Sequence, residues 1–137
     1  VLRPLEGSPR KERDSDEDAE VRTRDDEGGG GRRLVCAGCS HAITTDRARV
    51  EVAGHHRHVC TNPSGIPFDI GCFSLAPGCV PRGAFESYWT WFPGFDWQIV
   101  VCGGCGGHLG WGFRHADGST FVGLILARIV EVENDEE

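Results

Sequence analysis

The chain has 137 residues with 14 basic and 21 acidic side chains, a formal net charge of −7. That length holds one domain, and its only lysine, Lys11, lies in a charged leader, leaving no basic stripe to bind phosphates. Nucleic acid is therefore excluded as a partner. The longest apolar run, FVGLILARIV, is interrupted by Gly123 and Arg128 and is far short of a membrane span, so no membrane partner is expected.

Residues 1–33 carry ten acidic and eight basic side chains with almost no aliphatic residue after Leu5. Such a segment buries too little apolar surface to offset its ordering entropy and is expected to be disordered, with the GGGG at Gly28 to Gly31 as a flexible joint. Residues 34–130 hold six basic and six acidic side chains and form the expected folded domain, followed by an acidic tail at 131–137. The first residue is Val, which fits removal of a secretory signal or a fragment of a longer chain. A secreted protein is the expectation, with the cytoplasm as the alternative.

In chain order, RRLVCAGCS enters a cysteine turn on a short strand, and HAITTDRARVEVAG reads as strand and turn through Ile43, Val50 and Val52. HHRHVCTNPSGIPFDIGCF predicts two strands separated by the turn signal NPSG, with His55, His56 and His58 in a solvated loop and Cys72 in the core. LAPGCVPRGAFESY, rich in Pro and Gly, reads as a loop. WQIVVC and HLGWGF read as strands by their β-branched content and period-two alternation, and Asp117-Gly118 signals a hairpin. FVGLILARIV then reads as a last, mostly buried strand. Helix is scarce, so the class is all-β.

The seven cysteines divide unevenly. Cys36 and Cys39 in CAGC and Cys102 and Cys105 in CGGC have the spacing of a four-thiolate site for one structural Zn2+ ion, with no ligand position left open for water. Cys60 and Cys79 form a disulfide if the protein is secreted and stay reduced in the cytosol.

Between Trp89 and Phe113 lie all four tryptophans and the second CxxC. Alternation puts Trp97, Ile99 and Val101 on one strand face and Leu109, Trp111 and Phe113 on another, while Gly110 and Gly112 leave room for a neighbouring backbone. The Phe92-Pro93-Gly94 turn folds Trp91 back toward Trp97. Trp91, Trp97 and Trp111 are therefore expected to converge on an aromatic cage.

These motifs together (CAGC, the Asn62-Pro63 pair, WFPGFDW, CGGC, HLGWGF and FVGL), spread over about seven tenths of the chain, resemble the CULT domain, the cereblon-type thalidomide-binding module. The resemblance implies a β-tent of two antiparallel sheets held at their apex by the four-cysteine zinc site, with a pocket for glutarimide and other cyclic imides. It makes Trp91, Trp97 and Trp111 the pocket walls and Phe113 the base. The Trp89 carbonyl would accept the imide N–H, the Trp91 amide would donate to an imide carbonyl, and Asn62 and Pro63 would meet the ligand at the rim. Where the family's best-known member has histidine and serine, this chain has Trp89 and Thr90, which removes a side-chain hydrogen bond but leaves the backbone contacts. No stretch resembles a Lon-like domain, so no ligase adaptor is expected, and single-domain members are the closer comparison.

The expected function is a non-enzymatic, monomeric binding module for a small cyclic imide or a peptide ending in one, formed when Asn or Gln is damaged. Three readings compete with it, one of them a zinc-held protein interaction domain whose core is filled. A methionine sulfoxide reductase of the B type shares paired zinc CxxC turns but needs a nucleophilic cysteine, for which only Cys60 offers itself. An aromatic-cage reader of a methylated ammonium needs a carboxylate, for which Asp96 or Glu86 would serve.

Overall fold

The structure is a computed structural model that describes residues 20–23 and 31–133. Its described residues form strands and short 3-10 turns with no α-helix, as β-branched and aromatic runs broken by Gly and Pro require. The strands are β1 Val21–Thr23, β2 Arg33–Cys36, β3 Ala42–Thr45, β4 Val50–Val52, β5 Arg57–Thr61, β6 Pro67–Phe73, β7 Cys79–Glu86, β8 Phe95–Cys102, β9 His108–His115, β10 Thr120–Ile125 and β11 Ile129–Val132. Among the described residues no helix is long and apolar enough to cross a membrane.

All strand pairs are antiparallel. Six strands make the main sheet in the order β5-β6-β10-β9-β8-β7, three make a second sheet in the order β11-β2-β3, and β1 and β4 form a separate ribbon. The all-β expectation of two antiparallel sheets and a four-cysteine cluster therefore holds. Two apolar clusters fill the interior. One gathers Trp91, Trp111, Phe92, Phe95, Phe113 and Phe121 with Val50, Val52 and Ile70. The other, which includes Cys36 and Cys102, gathers Leu34, Ile43, Phe73, Leu109 and Leu124.

Several segments differ from the sequence reading. LAPGCVPRGAFESY is largely strand β7, an edge strand whose residues Cys79 to Arg82 pair with Cys102 to Ile99. It is exposed along most of its length, so no buried face imprints alternation on its sequence. Pro81 is tolerated because an edge strand need not donate on both sides. FVGLILARIV is two strands, not one: β10 ends at Ile125, a 3-10 turn at Leu126–Arg128 follows, and β11 crosses to the second sheet against β2. Within the leader, Val21–Thr23 pairs with β4, and Val21 packs on the cage-side cluster; the rest of the disordered-leader expectation, up to Gly30, lies outside the described residues, as do 134–137 of the acidic tail.

The histidines are not a solvated loop. His55 is exposed, but His56 and His58 are half-buried. The His58 Nε2 donates to the carbonyls of Val52 and His55, 2.9 Å from each, and its ring meets the edge of Phe92. His56 packs its ring edgewise on Phe73. Burial holds the His58 imidazole below its ordinary value, against the backbone hydrogen bonds that favour its charge.

The two cage-strand glycines also divide. A Cβ on Gly110 would collide with the backbone carbonyl of Gly123 on β10, whereas one on Gly112 would make ordinary contacts with Val100 Cγ1 at 3.6 Å and the Gln98 carbonyl at 4.0 Å. Close backbone approach is thus needed at Gly110 alone. Gly110→Ala is expected to lower unfolding stability by about 2 kcal/mol or more, and Gly112→Ala to change it by under about 1 kcal/mol, both read from urea unfolding midpoints.

The lowered His58 value fixes a pH trend. The unfolded chain takes up the proton first as pH falls, so this contribution to stability is intact above the ordinary histidine range and declines as pH drops through it. Between pH 7.5 and 5.5, the urea midpoint should fall less steeply for His58→Phe than for the natural sequence.

Candidate functional site

Both CxxC turns have the same local geometry. Ser40 N–H donates to the Cys36 carbonyl and Gly106 N–H to the Cys102 carbonyl, and both residues take left-handed backbone, with φ of 68° and 79°. Gly38 and Gly104 then donate to the sulfurs of Cys36 and Cys102, each at 3.3 Å. These bonds turn all four sulfurs inward, with Cys36 Sγ 3.9 Å from Cys105 Sγ and Cys39 Sγ 3.6 Å from Cys102 Sγ.

The four sulfurs lie within 4.8 Å of one another. A tetrahedral ion with bonds of about 2.3 Å would set its sulfurs about 3.8 Å apart, and a disulfide would need about 2.05 Å. The tetrad therefore fits a metal ion and not a pair of disulfides. Burial opposes ionisation of Cys102, but the amides of Cys105 and Gly104 and the sulfurs of Cys39 and Cys36 draw its thiol down, while the Cys39 thiol that shares the interaction is pushed up, so without a cation the tetrad favours one thiolate stabilised by neighbouring thiols. Anionic sulfur is the form a metal binds. Among the described residues no other group of three or more potential ligands converges.

Cys79 lies directly across from Cys102 on β7 and β8, and burial pushes its thiol up to about 12. Cys60 sits in the cage-side cluster, whereas Cys79 packs against the cysteine-side cluster. No disulfide joins them in the structure.

The pocket forms on the cage-side cluster. Antiparallel register sets Trp97 opposite Phe113 and Ile99 opposite Trp111, so all four share one face of β8 and β9. Trp91 comes in from the turn before β8 and meets Trp111 edge to face, with centroids 4.8 Å apart and planes at 81°. Phe113 is backed by Phe121, stacked at 4.8 Å, and by the edge of Phe92 at 5.0 Å. The space left between the rings is about 60 Å³, the volume of roughly five waters on the scale where one needs about 10–15 Å³. It admits one small ring.

Asn62, Pro63, Trp89, Trp91, Trp97, Trp111 and Phe113 all line this space. Thr90 does not. Its hydroxyl donates to the Phe95 carbonyl at 2.8 Å and accepts from the Phe92 amide at 3.3 Å, fixing the turn that carries its two tryptophan neighbours. Tyr88 lines the pocket as well and escaped the sequence reading; the signal available was its place one residue before Trp89.

Three indole N–H groups are tied to the backbone. Those of Trp89 and Trp91 both donate to the Thr61 carbonyl, at 3.0 and 2.9 Å, and that of Trp97 donates to the Tyr88 carbonyl at 2.7 Å. Asn62 closes its own turn, its Oδ1 accepting from the amides of Ser64 and Ile66. Trp89 has φ of 56°, a left-handed conformation that strains a bulky residue. Among the described residues, neither the Trp89 carbonyl nor the Trp91 amide enters a hydrogen bond. No acidic or basic side chain lines the space.

Fold and site together define an all-β domain whose cysteine tetrad, suited to a metal ion, sits at the end of the same two strands that wall an aromatic pocket. The chain is partially homologous to cereblon, consistent with a cereblon-like (CULT) domain. It is 45% identical over 35 residues to the protein cereblon of Drosophila grimshawi, covering 26% of this chain and 5% of that one. Against cereblon of Gallus gallus it is 39% identical over 54 residues, covering 34% and 12%. Against that of Drosophila virilis it is 46% identical over 32 residues, covering 23% and 5%. The match thus takes in a small part of each relative. No protein-family model matches the chain. The likeness suggests a binding domain rather than an enzyme.

The purified protein is expected to carry one metal ion per chain by elemental analysis. Cys39→Ser and Cys105→Ser should each lose it, and a strong chelator should lower the thermal midpoint of the natural sequence.

Proposed function

We propose that the chain is a non-enzymatic, monomeric binding module, stabilised by one zinc ion, whose pocket takes a small cyclic imide or a peptide that ends in one. Zinc is assigned because four thiolates in tetrahedral spacing are its preferred structural set. The observation that carries the ligand assignment is a ring-sized space walled by indoles, without a charged lining residue, two of whose lining residues keep an unengaged backbone group, the carbonyl of Trp89 and the amide of Trp91. A flat imide with one N–H and two carbonyls has little charge, and its polar groups match one acceptor and one donor. The resemblance in WFPGFDW and HLGWGF and the partial homology to cereblon support the same ligand class. Such a ring at a protein terminus arises when an Asn or Gln side chain closes on the backbone.

The competing readings lose support from particular residues. A methylated ammonium needs a carboxylate at the cage. Asp96 instead lies opposite Arg114, on the other face of β8 from Trp97, and Glu86 does not line the pocket. A sulfoxide reductase needs a reactive thiol, yet Cys60 is 8% exposed in the apolar cluster and burial pushes Cys72 up.

Titration with glutarimide is expected to change tryptophan fluorescence saturably, with trimethyllysine giving no competition. Trp111→Ala should weaken binding at least about tenfold, the scale of a buried aromatic anchor. Unchanged fluorescence in a folded, metal-loaded protein would refute the assignment.

A further inference from the structure

The pocket has a mouth as well as a cage. Of its lining residues, Pro63 and Tyr88 are exposed while Trp91, Trp111 and Phe113 are buried. Tyr88 is 60% exposed, a large aromatic surface left in water at the edge of an apolar space. Its ring is tilted 58° to that of Trp97 with centroids 5.6 Å apart, so it extends the cage wall outward rather than closing it. The Tyr88 carbonyl accepts the Trp97 indole N–H at 2.7 Å, which fixes the backbone that carries the phenol.

Across this mouth the other exposed lining residue is also anchored. Pro63 follows Asn62, whose carboxamide oxygen holds the turn through Ser64 and Ile66. Proline and phenol thus offer two flat, uncharged surfaces on supported backbone. A group attached to a ring in the cage has to leave past them. No charged side chain lines the pocket itself, and the nearest one established at its edge is the exposed carboxylate of Glu86, paired across from Trp97 on β7, so an anionic substituent would lose water there without gaining a partner, whereas a planar uncharged one gains aromatic contact.

We infer that Tyr88 is a specificity-determining residue forming an outer aromatic subsite, which selects peptide-borne cyclic imides whose preceding residue is aromatic. This rests on the reading of the cage as an imide pocket and adds which imide-bearing peptides it prefers. Selection comes from the phenol face stacking on the preceding side chain, so the hydroxyl is not required.

The test compares three ligands by calorimetry: glutarimide itself, and 3-aminoglutarimide acylated with acetyl-phenylalanine or with acetyl-glycine. The natural sequence should bind the phenylalanine compound about three- to tenfold more tightly than the glycine compound, the range of an aromatic pair. Tyr88→Ala should bring that ratio to within about twofold of unity, and Tyr88→Phe should keep it. Equal binding of the two acylated compounds by the natural sequence overturns the inference. So does a ratio that Tyr88→Ala leaves intact, which would make Tyr88 a general wall. Failure of glutarimide alone to bind is a different result: it removes the imide reading, and the outer subsite with it.

Discussion

Four sulfur atoms hold this molecule together at one end. Cys36 and Cys105 are 69 residues apart in the chain and Cys39 and Cys102 are 63 apart, yet each pair is in sulfur contact. One turn belongs to the β2-β3 hairpin of the three-stranded sheet and the other joins β8 to β9 of the six-stranded sheet. Everything around the tetrad is built for that meeting. Gly103 donates to the Gly78 carbonyl and Gly78 to the Ile43 carbonyl, and side chains at either glycine would collide with the backbone opposite. Four thiolates this close would repel one another, so the tetrad is suited to a cation at its centre, which would also tie the two sheets together there.

The same two strands lead from the tetrad to the pocket. β8 carries Trp97 and ends at Cys102, and β9 starts at His108 and carries Trp111 and Phe113. Displacing the turn would therefore move two walls and the base at once. Behind them the support is aromatic and layered: Phe68 and His108 meet Trp111 edge to face at 5.3 and 4.8 Å, and Phe113 rests on Phe121. Edge-to-face contacts resist rotation of a ring because each replaces a hydrogen edge against a π face. The pocket exists because these rings lean on a second layer and leave their inner faces uncovered.

Features with a strict local rule were legible in the chain. CxxC spacing points to a metal turn because a two-residue gap lets one tight turn bring both sulfurs to one side, and HLGWGF declares a strand because its large residues fall on alternate positions. The features that stayed hidden depend on what a segment packs against. β7 has Pro, Gly and polar residues because it is an exposed edge. The run FVGLILARIV is apolar throughout, yet it changes sheets at Leu126–Arg128, where Arg128 reaches the His108 carbonyl at 2.9 Å. Val21 gives little signal of its own, being one aliphatic residue in a charged leader that finds β4. Tyr88 looked like the end of a loop, and only the placement of Trp97 makes it part of the pocket.

The ties on the indole N–H groups set how a guest is received. Trp89 and Trp91 share one carbonyl at Thr61 and Trp97 holds that of Tyr88, so these three rings are held by the chain's own backbone, and a ligand of the proposed class would meet them already in place. Little rotamer entropy remains to be lost on encounter. Arrival should then resemble a key entering a cut lock, quick and with small backbone movement, and affinity among related guests will be sorted by residence time rather than by speed of capture.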